Sequence, residues 1–268
     1  MVTNSYNCKY KLFHSDNFRQ IFWKILFLCY FYIYIYYTNN IMLHLSVYSS
    51  LLVSIIIQIA TGIIEIISLL IKVPSKIIFL KQMMLLEVFV QMIEGLFYIY
   101  WFFNFKKITN ITPSRYMDWV ITTPTMLVNL IFYLIFLQHF EKNTSNTLHF
   151  FELFYREFYT IITVLILNWL MLLFGYLGEI SVMPTLLAVS LGFIPFLIYY
   201  YIIYTKYAFI SKDGLNVFLY FFIFWSLYGV VATLPYKLKN TCYNILDLFS
   251  KNFFGIFLSY LIFTNRLL

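Results

Sequence analysis

Two ionisable residues stand in the middle of an apolar run near the end of the chain. Asp247 and Lys251 interrupt the stretch 241–264 four residues apart, so they project from one helix face and can pair. A lone ammonium at mid-bilayer depth costs at least ~3 kcal/mol, and intramembrane charges usually pair and mark a function. Two readings fit the pair. Either it is a buried ion pair that locks helices together, or Lys251 is a desolvated amine that forms a Schiff base with an aldehyde. Burial favours the neutral, nucleophilic amine that this second reaction needs. A protonated imine then requires carboxylates nearby, and Asp247 supplies only one.

A second carboxylate lies in another apolar segment, within Thr112-Pro-Ser-Arg115-Tyr-Met-Asp118-Trp119-Val-Ile-Thr122-Thr-Pro124. Arg115, Asp118 and Thr122 fall at intervals of three and four, so they share a helix face. Asn129 follows Asp118 by eleven residues, three turns or ~16 Å along that face. Pro113 suits the first turn of a helix, where its missing N–H costs little. Pro124 should bend the helix and free a carbonyl that nearby threonines help to satisfy.

Three further stripes share one spacing of four, three and four: Ser54, Gln58, Thr61 and Glu65; Glu87, Gln91, Glu94 and Tyr98; Asn240, Asn244, Asp247 and Lys251. Each stripe runs along one face of its helix. Interhelical hydrogen bonding accounts well for Ser, Gln and Asn, and less well for Glu87 and Glu94, because buried carboxylates need partners or water. The alternative is a hydrated path between three facing stripes.

The elements that must carry these residues are membrane helices. Of 268 residues, 62% are hydrophobic and 11% charged, which excludes an ordinary soluble domain. Apolar segments long enough to cross ~30 Å of hydrocarbon fall at roughly 21–38, 46–73, 82–105, 115–138, 156–177, 181–204, 213–234 and 241–264. With all eight spanning and the N-terminus cytoplasmic, eleven Lys and Arg residues face the cytoplasm and four the outside, as the positive-inside rule requires. The net charge of +7 is spread over loops and is no signal for nucleic acid. Cys8, Cys29 and Cys242 are too scattered to suggest a disulfide framework. The first segment, 21–38, is short and crowded with tyrosines; an extra span, an interfacial helix and a targeting segment remain open for it. The chain therefore reads as an N-terminal extension, 1–45, followed by an all-α membrane domain, 46–268.

The combination Arg115-Tyr-x-Asp118-Trp-x-x-Thr122-Thr-Pro124 with Asp247-x-x-x-Lys251-x-x-x-Gly255 resembles the microbial (type 1) rhodopsins. Phe174-Gly-Tyr-Leu-Gly-Glu179 and Trp225-Ser-x-Tyr228 support the match, which covers about 47–263. The resemblance implies a seven-transmembrane-helix bundle in an integral, multi-pass membrane protein, a photoreceptor and not an enzyme. It implies all-trans retinal on Lys251 as a protonated Schiff base, with Asp118 and Asp247 as counter-ions and Arg115 on the outer side. Trp119 and Trp225 would sandwich the polyene, with Thr122, Met126 and Tyr228 in the pocket. An apolar Met126 implies green rather than blue absorption.

Departures from the family pattern bear on function. Asn129 stands where proton-pumping relatives carry an Asp or Glu, and an amide has no titrating proton to give. Gly229 and Ala232 replace a usual proline and a common aromatic. Ser54-x-x-x-Gln58-x-x-Thr61-Gly62 with Glu87-x-x-x-Gln91-x-x-Glu94, together with Lys239-Asn240 and Asn244, resembles the giant-virus rhodopsins of the cation-channel group. That branch implies a light-gated path for monovalent cations or protons lined by Ser54, Gln58, Glu87, Glu94, Arg115, Asn240 and Asn244, in a host-cell membrane if the source is a virus. An outward proton pump and a sensory receptor are the rivals. Lipids surround such a bundle, and a homo-oligomer is compatible with it. As pore lining, Glu87 and Glu94 would sit in water, so their exchange for Gln is expected to leave absorption close to the parent.

Overall fold

The computed structural model describes residues 47–264, and every regular element among them is helical. The N-terminal segment 21–38 lies outside the described residues. In chain order the α-helices are α1 (Val47–Leu70), α2 (Ile78–Asn104), α3 (Thr112–Glu141), α4 (Phe150–Arg156), α5 (Phe158–Glu179), α6 (Thr185–Ile203), α7 (Lys212–Ala232), α8 (Tyr236–Asp247) and α9 (Phe253–Thr264). A π-helical turn, Tyr204–Ala208, extends α6, and a second, Leu248–Asn252, joins α8 to α9. Apart from the short α4, these make seven rods. Six are long and apolar enough to cross a membrane by length and composition. The seventh, α2, has 27 residues, about 40 Å at ~1.5 Å per residue, and carries Glu87, Gln91 and Glu94 on its buried side. The chain is an integral, multi-pass membrane protein.

The rods pack in a closed ring: α1 on α2, α2 on α3, α3 on α5, α5 on α6, α6 on α7, α7 on α8, and α8 back on α1. The polarity of α1 explains its orientation. Its buried residues include Ser50, Ser54, Gln58, Thr61, Glu65 and Ser68, while Ile56, Ile59, Ile63 and Ile66 are exposed. In lipid, the apolar face turns outward and the polar stripe finds its partners inside. The helices start and stop near the expected boundaries, with local differences. The segment expected over 46–73 ends at Leu70, ahead of Pro74, and the next begins at Ile78, not 82, after a 3-10 turn at Ser75–Ile77. The last rod starts at Tyr236, five residues before the expected 241, directly after Pro235.

In α3, Pro113 occupies the first turn and Pro124 the interior. Proline at 124 cannot bond the carbonyl of Val120. That carbonyl instead accepts a hydrogen bond from Trp169 Nε1 of α5, at 3.0 Å. Thr122, Thr123 and Thr125 donate their hydroxyls to the carbonyls of Asp118, Trp119 and Ile121. The helix thus keeps its backbone satisfied around Pro124 and presents Asp118 to the interior of the ring.

Candidate functional site

Lys251 lies inside the second π turn. Widening a helix by one residue leaves carbonyls poorly paired, and such turns recur at functional sites. Here Tyr220 of α7 donates its hydroxyl to the Phe249 carbonyl at 2.6 Å, which steadies the turn that aims Lys251 inward. The Lys251 side chain is 2% exposed.

Three carboxylates surround its nitrogen. Asp118 Oδ2 of α3 is 2.8 Å from Nζ, Glu94 Oε1 of α2 is 3.4 Å away, and Asp247 Oδ1 of α8 is 3.6 Å away. A charge this deep is tolerated only when paired, and the three carboxylates do the pairing. Asp247 is the most firmly held of them. Tyr98 donates to its Oδ2 at 2.5 Å, Tyr228 donates to its Oδ1 at 2.6 Å, and Arg115 Nη1 lies 3.3 Å from Oδ2. By contrast Asp118 Oδ1 and Glu94 Oε2 have no hydrogen-bond partner among the described residues.

Arg115 is fully buried above this cluster and ties the outer half together. Its Nε donates to Asn240 Oδ1 at 3.0 Å and its Nη2 to Asn244 Oδ1. Its guanidinium stacks over the Trp101 ring, 4.8 Å from the centroid. Asn240 in turn donates to Thr112 Oγ1 at 2.9 Å, and Asn244 to Ser50 Oγ at 2.9 Å. Ser54 donates to the Asn244 carbonyl at 3.1 Å.

On the other side of the cluster, Gln91 donates to the Gln58 carbonyl at 3.0 Å, while both side-chain polar atoms of Gln58 lack a partner among the described residues. Asn129 donates to Glu87 Oε1 at 2.6 Å and to the Met83 carbonyl at 3.1 Å. The stripes of α1, α2 and the last rod therefore meet in the interior of the ring.

A cavity opens from Lys251 towards α5, α6 and α7. Trp119, Met126, Trp225 and Tyr228 line it, together with the small residues Gly175, Gly192, Gly229 and Ala232. Thr122 is not on its wall; the threonine there is its neighbour Thr123, which accepts a hydrogen bond from Asn168 at 2.8 Å. A long apolar slot ending at a buried amine fits a polyene aldehyde. It offers aromatic side chains for the polyene to lie against, and the small residues leave room for it.

With that geometry in view, the family comparison is decisive. Residues 46–265 match the family described as bacteriorhodopsin-like protein. The chain is a microbial rhodopsin. Among solved structures this rhodopsin is similar to the viral rhodopsin OLPVRII, at 28% identity and a TM-score of 0.69, covering 82% of this chain and 98% of that one. It shares its fold with a blue light-absorbing proteorhodopsin from Med12 (20% identity, TM-score 0.61, 82% and 98% covered). The same holds for xanthorhodopsin, a light-driven ion pump with dual chromophore (18%, 0.59, 82% and 93%). No curated protein sequence matches it. The family carries retinal, and the slot ending at Lys251 fits that group.

Glu94 stands closer to the chromophore site than its place in the α2 stripe alone implies: it is fully buried, and its carboxylate reaches the Lys251 nitrogen. Two turns along one helix face separate Glu94 from Glu87, and of the two only Glu94 pairs with Lys251. Glu87 is likewise buried, and its carboxylate accepts a hydrogen bond from Asn129. Residues that sequence reasoning left out of the site are Tyr98, Thr123, Asn252 and Glu65. Tyr98 was visible as the fourth member of the α2 stripe. Asn252 follows Lys251 directly and is buried, with both amide atoms unpartnered.

Proposed function

We propose that this rhodopsin is a light-gated cation channel that carries all-trans retinal on Lys251. The observation that supports this most is a continuous polar seam between α1, α2 and the last rod. From Asn240 to Gly255 the last rod advances fifteen residues, about 22 Å at ~1.5 Å per residue. Over that length it meets Ser50, Ser54, Glu94, Arg115 and Glu65 from neighbouring helices. Simple hydrogen-bond glue would leave few polar atoms idle. Yet Gln58, Asn252, Glu94 and Glu65 all keep buried polar atoms without a protein partner. Such atoms suit a path that is wetted when open, and the acidic members favour cations over anions.

When bound, retinal supplies light absorption and a change of shape at the Lys251 nitrogen. The protein's own groups do the rest. Asp118, the nearest carboxylate, has one oxygen without a donor and is placed to accept a proton from Nζ. Asp247, held by Arg115, Tyr98 and Tyr228, stays as the fixed negative charge. Any shift of Lys251 pulls on Glu94 and Asp247, hence on α2 and, through Arg115, on Asn240 and Asn244. Those are the contacts that keep the outer half of the seam shut.

Whole-cell recording under illumination tests the reading. A photocurrent whose sign reverses with the cation gradient is the expected result. A current of one direction at all voltages would mean an outward proton pump, and no current would mean a sensory receptor.

A further inference from the structure

Glu65 is a buried carboxyl for which the site described above has no use. It sits on the inner half of α1, 1% exposed, two turns below Gln58. Its Oε1 is packed against the backbone of Gly255 on α9, so closely that a Cβ built at 255 would fall inside the carboxyl oxygen. Its Oε2 has no hydrogen-bond partner, and no ion pair of Glu65 is found among the described residues. Other charged groups near it offer no compensation. From α2, the nearest ionisable group, Glu87, is another buried acid and brings no positive charge; from the last rod, Lys251 is already shared by Asp118, Glu94 and Asp247; on α1 itself, Ser68 spends its hydroxyl on the Glu65 carbonyl. An ionised carboxylate buried with no partner costs several kcal/mol, so the group is stable there as the neutral acid. Ionisation needs water, and water needs α1 and α9 to part.

We propose that Glu65, seated on Gly255, is the inner gate of the seam: a neutral acid while α1 and α9 touch, and an ionised lining group once they separate. This rests on the channel reading above. On opening, the O–H bond of Glu65 breaks, its proton passes to entering water and on to the cytoplasm, and the carboxylate left behind attracts a cation. Gly255 is suited to this role because it alone lets the carboxyl lie on the helix backbone. Four residues separate it from Lys251, so one turn of helix links the chromophore-bearing residue to the seat.

Two measurements on the full-length, retinal-bound protein test the gate. The first is the light-minus-dark infrared difference spectrum of the parent and of Glu65→Gln. A carbonyl band of a protonated carboxylic acid that is lost in light, and missing from Glu65→Gln, is expected. The second is patch-clamp recording of Gly255→Ala, which forces the carboxyl from its seat, and of the pair Glu65→Ala with Gly255→Ala, which removes the collision. Gly255→Ala should keep visible absorption and raise dark current or slow closing by about tenfold, a shift typical of one lost contact in a two-state equilibrium. The double variant should close faster than Gly255→Ala. Parent-like dark current and closing in a Gly255→Ala protein that binds retinal would overturn the gate, as would a difference spectrum with no Glu65-dependent band. If Gly255→Ala fails to bind retinal, the infrared comparison decides alone. A parent without photocurrent sinks the channel reading instead, and the Glu65 band then still decides whether the seam opens in light.

Discussion

Asn129 hands its amide hydrogen to Glu87 across the α2–α3 interface, at 2.6 Å. The position from which pumping relatives are expected to return a proton is thus occupied by a donor that cannot ionise. Asn129→Asp would set two carboxyl groups side by side and give the inner half a titrating proton next to the path. We expect recovery of the dark state after a flash to become faster and sensitive to pH. Flash photolysis of both proteins over a pH series checks it; identical, pH-independent recovery would remove position 129 from the proton route.

Glu87→Gln keeps a hydrogen-bond acceptor for Asn129 and lies outside the cluster at Lys251. Its visible band should match the parent, while photocurrent amplitude or reversal potential under a cation gradient should change. Unaltered currents at equal expression would take Glu87 off the conducting path.

Lys251→Ala should abolish the visible band when the protein is made with retinal, and Lys251→Arg should fail equally, because guanidinium stays protonated and is a poor nucleophile. The absorption spectrum of purified protein decides, and a normal band in either variant would reassign the attachment site.

Removing charge around the nitrogen should move the band in a graded way. Asp118 is nearest, at 2.8 Å, and Glu94 next, at 3.4 Å. Negative charge near the nitrogen stabilises the ground state, where positive charge is concentrated. Asp118→Asn is therefore expected to shift absorption to longer wavelength while the nitrogen stays protonated, and Glu94→Gln to shift it less. A Glu94→Gln band identical to the parent would mean that Glu94 carries no charge in the dark and acts in conduction alone.

Tyr98→Phe removes one of three donors to Asp247. A hydrogen bond to a charged group contributes roughly 1.5–3 kcal/mol, so retinal should be lost at a lower temperature. Thermal bleaching of the visible band measures it, and an unchanged bleaching temperature would mean that Arg115 and Tyr228 suffice.

Much of this arrangement is legible before any coordinates. The four-three-four stripes put Ser54, Gln58, Glu94 and Asn244 on inward faces because a polar stripe in lipid has nowhere else to go. The Asp118 and Lys251 motifs mark the ends of a contact that the fold then makes. Other features depend on what spacing cannot express. A regular helix over 241–264 contains no hint of the π turn at Leu248–Asn252, which rotates Lys251 and brings Glu94 within reach. That Thr123 and not Thr122 lines the cavity depends on how α3 is turned against α5, where Asn168 bonds Thr123 and Trp169 bonds the Val120 carbonyl. Glu65 looks like the end of a stripe, and only the approach of Gly255 from nearly two hundred residues away gives it a counterpart.

That separation has a consequence for biosynthesis. Chains enter the membrane from the N-terminus, so α1 and α2 are inserted with Glu65, Glu87 and Glu94 before Lys251 and Gly255 exist. Until the last rod arrives, Glu94 has no cation and Glu65 no seat, and the early helices carry a debt of unpaired acid that chaperones or lipid headgroups must hold. A chain stopped before Tyr236 is expected to be degraded far faster than the full one, as pulse-chase labelling would reveal; equal lifetimes would show that the first six rods assemble without the seventh.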